Sequence, residues 1–451
     1  MARHRHAVIW TRISGQPQKM GDLVLSDAQT SFTYNDDYLA GGGPGFCLLG
    51  DGAIWGRDTV TYPVSERISV FPRLLSLIPG SNPRNLQRRH YLDLLRSQLG
   101  REPSPGPDTE WQLLQMGGHG GIGHIDVFAD DIAAVDWYEG RAAPAAEGSA
   151  AADRSQLWRM LKNNVLDENV EFDPLLVEAA LGPTPSVGGM IPKLLVSLSP
   201  DEKQAGFFPP ESPGKQPVVL KVEPPEYRGL LDLEALCLDV HRDAGFVVPQ
   251  YRRYDADGLN FLAVERFDRD TDGLPVPMES LFSVIASGDH RFRETGDILL
   301  DELGGILTRL QDVAELARDT GELLYKRILM ALLTGNGDLH LDNLALLGGL
   351  DDCRLAPVYD PAPMRAWPRH NLVSAIPFDP APHPDHGEYF AGLGRSFGLT
   401  KARAGRCIEA ALAATSDYPG QVMALEQVPE IQRSQLAGIA RRERTVLEPH
   451  A

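Results

Sequence analysis

Cysteines, cationic side chains and long apolar runs are all scarce in this 451-residue chain. Four scattered cysteines without a CxxC pair exclude a disulfide scaffold and indicate a reducing cytoplasm. The 43 Lys and Arg residues against 62 Asp and Glu give a formal charge of −19, which makes the chain a poor autonomous binder of nucleic-acid phosphates. It has no apolar run of about 18 residues, and no apolar segment follows the basic N-terminus. We therefore expect no membrane span and no signal peptide, and hence a cytoplasmic protein.

The composition is that of a globular protein, with 43% apolar and 23% charged residues. Short strand-like runs dominate the first 270 residues, and apolar residues at helical spacing dominate the rest. This order predicts an α+β chain with segregated halves, divided into two or three domains. Two segments rich in glycine or alanine, 41–60 and 139–153, are predicted to be a loop and a linker.

The segment TGNGDLHLDNLALL, residues 334–347, concentrates polar groups directly after an apolar helix. Asp338, His340 and Asn343 lie within six residues, and kinase catalytic loops use an Asp and an Asn at this same spacing. The carboxylate orients the attacking hydroxyl, and the amide oxygen holds a metal ion. The apolar run that ends at Asp360 is predicted to pair with LALL, and Asp360 would complete a Mg²⁺ site. The spacing alone occurs by chance in many loops, but the extended pattern favours phosphoryl transfer.

An upstream segment, PSVGGMIPKLLVSL, places two glycines before a lysine and a strand. The backbone N–H groups of Gly188 and Gly189 could approach phosphates closely, and Lys193 would add a positive charge. The alternative is an ordinary β-turn.

A second upstream candidate is Lys221, a lone lysine within the apolar run VVLKVEP. It is predicted to pair with nucleotide phosphates, and Glu234 on the next predicted helix could hold it. The alternatives are an edge-strand lysine and a glutamate on a solvated helix face.

These segments together resemble the HipA family of bacterial toxin-type serine/threonine kinases. The resemblance rests on SVGGxxPK at 186–193, VVLKVEP at 218–224, FLAVERFDR at 261–269, GNGDLHLDN at 335–343 and YDPA at 359–362. It implies a two-lobed protein-kinase-like fold with an extra β-rich N-terminal subdomain and an all-helical C-terminal lobe. The implied boundaries are 1–125 for that subdomain, 126–268 for the first lobe with its phosphate loop, and 269–451 for the helical lobe.

The resemblance also assigns roles to individual residues. It implies that Asp338 is the catalytic base, that Asn343 and Asp360 hold Mg²⁺, and that Ser186 is an autophosphorylation site whose modification silences the kinase. Glu265, Arg266 and Phe267 would form the hinge beside adenine. The residues expected to contact ATP or its metal ion are Gly188, Gly189, Met190, Ile191, Pro192, Lys193, Lys221, Glu265, Arg266, Phe267, His340, Asn343, Tyr359 and Asp360.

The expected activity follows from the same resemblance. An ATP- and Mg²⁺-dependent kinase would phosphorylate a protein serine or threonine, with an aminoacyl-tRNA synthetase as the implied target and growth arrest and persistence as the result. The implied partner is a helix-turn-helix antitoxin, through which the acidic chain would contact DNA. One departure is Asp342, since many family members carry a lysine just before the metal-binding asparagine. The alternatives are a small-molecule kinase of the aminoglycoside or choline type and a nucleotide-binding pseudokinase scaffold.

The glycine-rich segment GHGGIG, residues 118–123, fits the GxGxxG pattern of dinucleotide sites. Such a site requires a strand before the glycines and a helix after them. Because the strand-like run HIDVFADD follows instead, a glycine-rich turn is the favoured interpretation. His119, His124 and Asp126 do not have the spacing of a closed zinc site.

Overall fold

The computed structural model of the protein describes residues 4–65, 67–81, 85–142, 191–199, 207–208, 212, 214–256, 259–381 and 383–451. The chain divides into two compact units. The first comprises Met1–Pro225, Tyr251–Glu279 and Ala286–His290, and the second comprises Glu226–Gln250, Ser280–Ile285 and Arg291–Ala451. The boundaries 1–125, 126–268 and 269–451 stay a prediction.

The first unit is built mainly from two antiparallel sheets. Its described strands are β1 (Arg5–Thr11), β2 (Gln18–Leu25), β3 (Gln29–Tyr34), β4 (Val60–Pro63), β5 (Asp126–Phe128), β6 (Lys193–Leu198), β7 (Phe207–Phe208), β8 (Gln216–Val222), β9 (Tyr251–Ala256) and β10 (Leu259–Glu265). Its described helices are α1 (Asp36–Gly41), α2 (Gly52–Trp55), α3 (Pro72–Leu75), α4 (Leu86–Leu99), α5 (Pro107–Gly117) and α6 (Asp131–Ala142). The predicted linker 139–153 is therefore wrong over 139–142, where α6 continues. The predicted loop 41–60 is interrupted by α2 and one 3₁₀ turn.

The N-terminal sheet has the strand order β4-β3-β2-β1-β5. Strands β3 and β4 alternate between buried and more exposed side chains, as a half-buried sheet requires, whereas every residue of β5 is buried. In β3, Thr30, Phe32 and Tyr34 are buried while the residues between them face outward. At Gly21, opposite Tyr34 in β3, an added Cβ would lie 2.2 Å from the Thr33 carbonyl oxygen, so only glycine fits there.

The second sheet has the order β7-β6-β8-β10-β9. Every residue of β6 is buried, which is why its sequence KLLVSL shows no alternation of apolar and polar residues. Strand β8 lies between β6 and β10, so it is an interior strand of this sheet. Strands β6 and β8 coincide with the runs KLLVSLS and VVLKVEP, and β10 ends at Glu265, within FLAVERFDR.

The second unit is mainly helical. Its described elements are α7 (Leu230–Asp243), α9 (Leu300–Gln311), α10 (Thr320–Thr334), β12 (Ala345–Leu347), β13 (Arg354–Leu355), α11 (His386–Leu393), α12 (Lys401–Ala414), α13 (Tyr418–Ala424) and α14 (Glu430–Leu447). Strand β11 (Met278–Ser280) and helix α8 (Leu281–Gly288) lie where the chain passes between the two units. The predicted α+β class with a helical C-terminal region is confirmed.

Helix α10 is the buried centre of the second unit. It is buried on nearly all sides from Leu324 to Thr334, which is the pattern of a core helix rather than an amphipathic one. The helix ends at Gly335, whose φ of 74° allows its N–H to bond back to the last turn. The polar segment that follows therefore starts from a rigid element.

All four cysteines are free and buried. Among the described residues, no helix has both the length and the apolar character needed to cross a membrane.

Candidate active site

Hydrogen bonds within the loop after α10 hold the main chain of Asp338. Asn336 Oδ1 accepts from the Asp338 N–H at 3.0 Å, and the His340 N–H donates to the Asp338 carbonyl oxygen at 2.8 Å. Asn343 Nδ2 donates to the same oxygen at 2.9 Å. The backbone of the predicted catalytic base is thus fixed at both its N–H and its carbonyl group.

Asn343 ends a short 3₁₀ turn, Leu341–Asn343, and is itself buried. Since Nδ2 is committed to Asp338, Oδ1 is the atom through which this amide could hold a metal ion. His340 caps the turn, with its Nδ1 accepting from the Asp342 N–H at 3.2 Å.

Strands β12 and β13 form the hairpin predicted from LALL and LAPVYD, with Leu346 opposite Leu355. The hairpin leads to Asp360, whose φ of 54° makes it the one non-glycine residue with positive φ in the described chain. Such conformations cost energy and concentrate at functional sites. A carboxylate and an amide oxygen are the hard donors that Mg²⁺ takes alongside phosphate and water, so Asn343 and Asp360 fit the predicted metal chemistry.

Tyr359 links the segment before Asp360 to the loop after α10. Its hydroxyl donates to the Asp342 carbonyl oxygen at 2.8 Å. Burial, and then the nearby Asp342 carboxylate, raises the pKa of Tyr359 well above its ordinary value, so the hydroxyl keeps its proton. The side chain of Asp342 accepts a hydrogen bond from Ser280 Oγ at 3.0 Å.

Sequence reasoning missed Arg327, which lies in the middle of α10 and is 4% exposed. Its Nη2 donates to the carbonyl oxygen of Ala356, in the segment between β13 and Asp360. Arg327 also lines a small cleft with Asn336, Asn343 and Tyr359. Burial lowers the pKa of Arg327 to about 10, so it remains charged at neutral pH. The available signal was a lone arginine inside the apolar run LLYKRILMALL.

In the first unit, Lys193 and Lys221 lie directly opposite each other on β6 and β8. Opposite residues of an antiparallel pair share one face of the sheet, and both lysines are buried. Because β8 is an interior strand, the edge-strand interpretation of Lys221 is wrong. Glu234 is fully buried on α7, so it is not on a solvated helix face either. A pairing of Glu234 with Lys221 stays a prediction.

Ile191 and Pro192 are buried just before β6, and the Pro192 carbonyl oxygen accepts from the Val222 N–H at 3.0 Å. The remaining predicted residues of this loop, Ser186, Gly188, Gly189 and Met190, lie outside the described residues.

The predicted hinge begins where β10 ends, at Glu265, which is partly exposed. The next residue, Arg266, is buried and donates through Nη2 to the Gly121 carbonyl oxygen at 2.5 Å and to Asp268 Oδ2 at 2.7 Å. The Gly123 N–H donates to Asp268 Oδ2 at 2.8 Å. We call this contact between the glycine loop 118–123 and residues 266–269 the glycine clasp.

The hydrogen bonds of the glycine clasp give both the GHGGIG and the VERFDR segments a structural role. The glycines follow helix α5 and precede strand β5, the reverse of the order that a dinucleotide site requires. Arg269 Nη1 also donates to the Gly123 carbonyl oxygen at 3.1 Å. The interpretation of GHGGIG as a structural turn is confirmed.

The histidines beside the clasp have structural partners. His124 Nε2 lies 2.9 Å from the Gly45 carbonyl oxygen, and burial, with the charge of Arg73, lowers the pKa of His124 to about 3. Asp126 accepts from the Gly120 N–H and the Tyr138 hydroxyl, both at 2.6 Å. Within the described part of the chain, no group of three or more His, Cys, Asp or Glu residues could hold a metal ion.

Comparison with known proteins gives a family match. The family model for the HipA-like C-terminal domain matches residues 185–418 of this chain. The protein "Putative kinase Y4dM" of Sinorhizobium fredii is 29% identical over 192 residues, covering 40% of this chain and 42% of that protein. The "Putative kinase" of Haemophilus influenzae is 26% identical over 204 residues, covering 43% and 57%. The chain therefore spans about half the length of these curated relatives.

Among solved structures, HipA of Shewanella oneidensis MR-1, in a toxin–antitoxin complex with HipB and operator DNA, is similar with a TM-score of 0.62. The similarity covers 96% of this chain and 95% of that one at 17% sequence identity. At this identity the comparison shows a shared fold.

Proposed function

This chain belongs to the family defined by the HipA-like C-terminal domain, and from that premise we propose that it is an ATP- and Mg²⁺-dependent serine/threonine protein kinase. The observation that carries the proposal is the hydrogen bond from Asn343 Nδ2 to the Asp338 carbonyl oxygen. It joins the proposed base to the proposed metal-binding amide within one loop, and Asn343 Oδ1 would then hold the metal ion. A chance occurrence of the spacing would not require this contact.

In the proposed reaction, the Asp338 carboxylate accepts a hydrogen bond from the acceptor hydroxyl and orients its oxygen toward the γ-phosphorus of ATP. The hydroxyl proton passes to Asp338 as the new P–O bond forms and the bond to the β-phosphate oxygen breaks. Mg²⁺ held by Asn343 and Asp360 would neutralise the charge that develops on the phosphate oxygens. Positioning and electrostatics supply most of the rate enhancement.

For the first unit, we propose that Lys193 and Lys221 hold the nucleotide phosphates. Lys193 and Lys221 lie opposite each other and share one face of the sheet, so the phosphates of one nucleotide could contact both of them. The backbone at Glu265–Phe267 would contact adenine, since the Arg266 side chain is committed to the glycine clasp.

The first test is intact-mass spectrometry of the protein after incubation with Mg²⁺-ATP. We expect a gain of one phosphate, mapped to Ser186, in the wild type and none in Asp338→Ala, because loss of the carboxylate removes the group that orients the hydroxyl. Asp351→Ala, at an exposed carboxylate beyond β12 in the same unit, is the matched control and should behave as the wild type. Undiminished phosphorylation of Asp338→Ala would exclude Asp338 as the base.

For the substrate, we propose a protein rather than a small molecule, with an aminoacyl-tRNA synthetase as the target to test first and growth arrest and persistence as the consequence. The serine within the SVGG segment supports this choice. The partner proposed is a small helix-turn-helix antitoxin that carries the DNA contacts, since HipA of Shewanella oneidensis was solved with HipB and operator DNA. Phosphorylation of an aminoglycoside or an amino alcohol would overturn the protein-kinase proposal.

Asp342 supports a second candidate, a nucleotide-binding pseudokinase. An additional carboxylate next to Asn343 adds negative charge where the triphosphate would lie, and Ser280 holds it in place. Binding of Mg²⁺-ATP in a thermal-shift assay without phosphate transfer, in protein shown by mass to be unphosphorylated, would favour this candidate. Transfer by the wild type would exclude it.

A further inference from the structure

A buried ionic network lies in the second unit. Arg365 Nη2 donates to Glu443 Oε1 at 2.8 Å, and these side chains are 1% and 0% exposed. His386 Nε2 lies 2.5 Å from the other oxygen, Glu443 Oε2, and Arg442 Nη2 approaches Oε1 at 3.3 Å. Arg365 Nε donates to Asn371 Oδ1 at 3.0 Å. Glu443 belongs to α14 and His386 is the first residue of α11, so the network joins two helices to the segment after Asp360.

Arg365 also touches the loop that carries Asp338. Its backbone N–H donates to the Gly335 carbonyl oxygen at 3.2 Å. A Cβ added at Gly337 would lie 2.9 Å from Arg365 Cγ and 2.6 Å from the Leu372 carbonyl oxygen. Gly337 is therefore packed against the stem of Arg365, and this contact determines where the residue before Asp338 lies.

Helix α14 holds Arg365 at a second point, because Gln435 Nε2 donates to the Arg365 carbonyl oxygen at 3.0 Å. Gln435 and Glu443 are eight residues apart on this helix, so its interior face holds both the main chain and the guanidinium of Arg365. Leu436, on the same helix, lies against Gly335, where an added Cβ would be 2.5 Å from its Cδ1.

The energetics argue against stability as the reason for this network. Removing two charges from water costs about as much as their attraction returns, and buried pairs can often be replaced by apolar residues without loss of stability. Burial alone would raise the pKa of Glu443, but the hydrogen bond from His386 and the charge of Arg365 outweigh it, so the pKa is lowered and the carboxylate stays charged. A directional, charged network instead fixes Arg365 in one geometry.

We propose that Arg365 and Glu443 are positioning residues for phosphoryl transfer, which set the Gly335–Asp338 loop through the contact of Arg365 with Gly335 and Gly337. This inference rests on the proposed kinase function for its effect on rate. Its structural half, that the network orders the loop, does not depend on catalysis. This role of α14 could not be predicted from the sequence, because Glu443 is one of several charged residues in the run ARRER at 440–444.

The test compares Glu443→Gln, Glu443→Ala and the double variant Arg365→Met/Glu443→Leu with the wild type. Gln keeps acceptor and donor groups at the site, Ala removes them, and the apolar pair removes the charges while filling the space. We expect kcat to fall by about 10- to 100-fold in the Ala and double variants, since small misplacements near reacting atoms have effects of this size. The KM for ATP should change by less than about twofold, and Glu443→Gln should recover part of the rate.

Hydrogen exchange of the peptide that covers 335–343 is the readout independent of activity. We expect it to quicken in the Ala and double variants while the core of α10 stays protected. Arg403→Gln is the control, because it breaks a bidentate but exposed ion pair with Glu322 in the same unit. It should change neither kcat nor loop exchange.

The outcomes separate the two proposals. A folded double variant with wild-type loop exchange would overturn the positioning role, whether or not the protein transfers phosphate. Faster exchange across the whole second unit, with kcat and ATP affinity lost together, would also overturn it by making the network a stability element. If the wild type transfers no phosphate, the proposed function fails, and faster exchange confined to 335–343 would still support the ordering of the loop.

Discussion

At the scale of single residues, Asp360 carries a carboxylate on a backbone whose conformation is energetically unfavourable. Its φ of 54° belongs to the left-handed region, where a side chain costs about 1 kcal/mol or more relative to glycine. Hydrogen bonds hold the chain just before Asp360, since Arg327 donates to the Ala356 carbonyl oxygen and Tyr359 donates to that of Asp342. The chain thus has an aspartate at a position where glycine would adopt the same conformation at a lower energy. This is expected if the carboxylate is needed there.

Asp360→Gly should therefore be more stable than Asp360→Ala, while both variants lose phosphate transfer. We expect the free energy of unfolding to increase by about 1 kcal/mol relative to Asp360→Ala, since both lack the carboxylate but only glycine relieves the strain. Urea unfolding measures the difference, and incubation with Mg²⁺-ATP should show no transfer in either variant. A glycine variant that is less stable than the alanine variant would mean that the backbone at 360 is not strained.

At the scale of elements, the glycine clasp joins a loop to the end of a strand through buried charge. Asp268 is 2% exposed and lies between Arg266 and Arg269. Burial alone would raise the pKa of Asp268, but the two arginine charges outweigh it and the pKa is strongly lowered. A carboxyl whose pKa is lower in the folded state stabilises the fold above its unfolded pKa, near 4, and loses that contribution as the pH falls.

Replacement of this carboxylate should make the stability of the fold depend less on pH in the acid range. We expect Asp268→Asn to be less stable than the wild type at pH 7, by about 3 kcal/mol because two buried arginines lose their counter-charge. The gap should narrow as the pH falls below about 4. Thermal unfolding of both proteins between pH 7 and pH 3 measures it, with Asp270→Asn, outside the clasp, as the control. Parallel curves over this range would contradict the lowered pKa.

Some elements could be predicted from the sequence, whereas contacts between distant segments could not. The strands and the terminal helices follow from local periodicity, and Asp338, Asn343 and Asp360 could be named as candidates because they lie in one loop and at the end of one apolar run. The glycine clasp could not be predicted, because Gly121 and Arg266 are 145 residues apart and nothing local in either segment names its partner. Arg327 and Glu443 were missed for a similar reason: a charge inside an apolar or basic run shows its burial only once the helix is packed.

At the scale of the whole molecule, the dominant property is the net charge of −19. Such a chain repels a phosphate backbone over the Debye length of about 8 Å at physiological salt. This supports DNA contact through a partner rather than through the chain itself.

We accordingly expect no measurable binding of duplex DNA by the chain alone at about 0.15 M salt. Fluorescence anisotropy with a labelled duplex of mixed sequence tests this, with a basic DNA-binding protein as the positive control. Binding that weakens steeply as salt rises would reveal a local cationic site and would contradict the expectation.

Helix α10 and its end at Gly335 have a consequence for how such a chain can change over generations. Each residue added to a helix turns everything beyond it by about 100° around the axis. One codon inserted or deleted within α10 would therefore move Gly335 and Gly337 away from Arg365, even if every side chain kept its chemistry. Asp351 and Asp352, in the turn between β12 and β13, are exposed, so extra residues there can bulge outward. We expect related sequences to vary in length at that turn and to keep the count of residues in α10 unchanged.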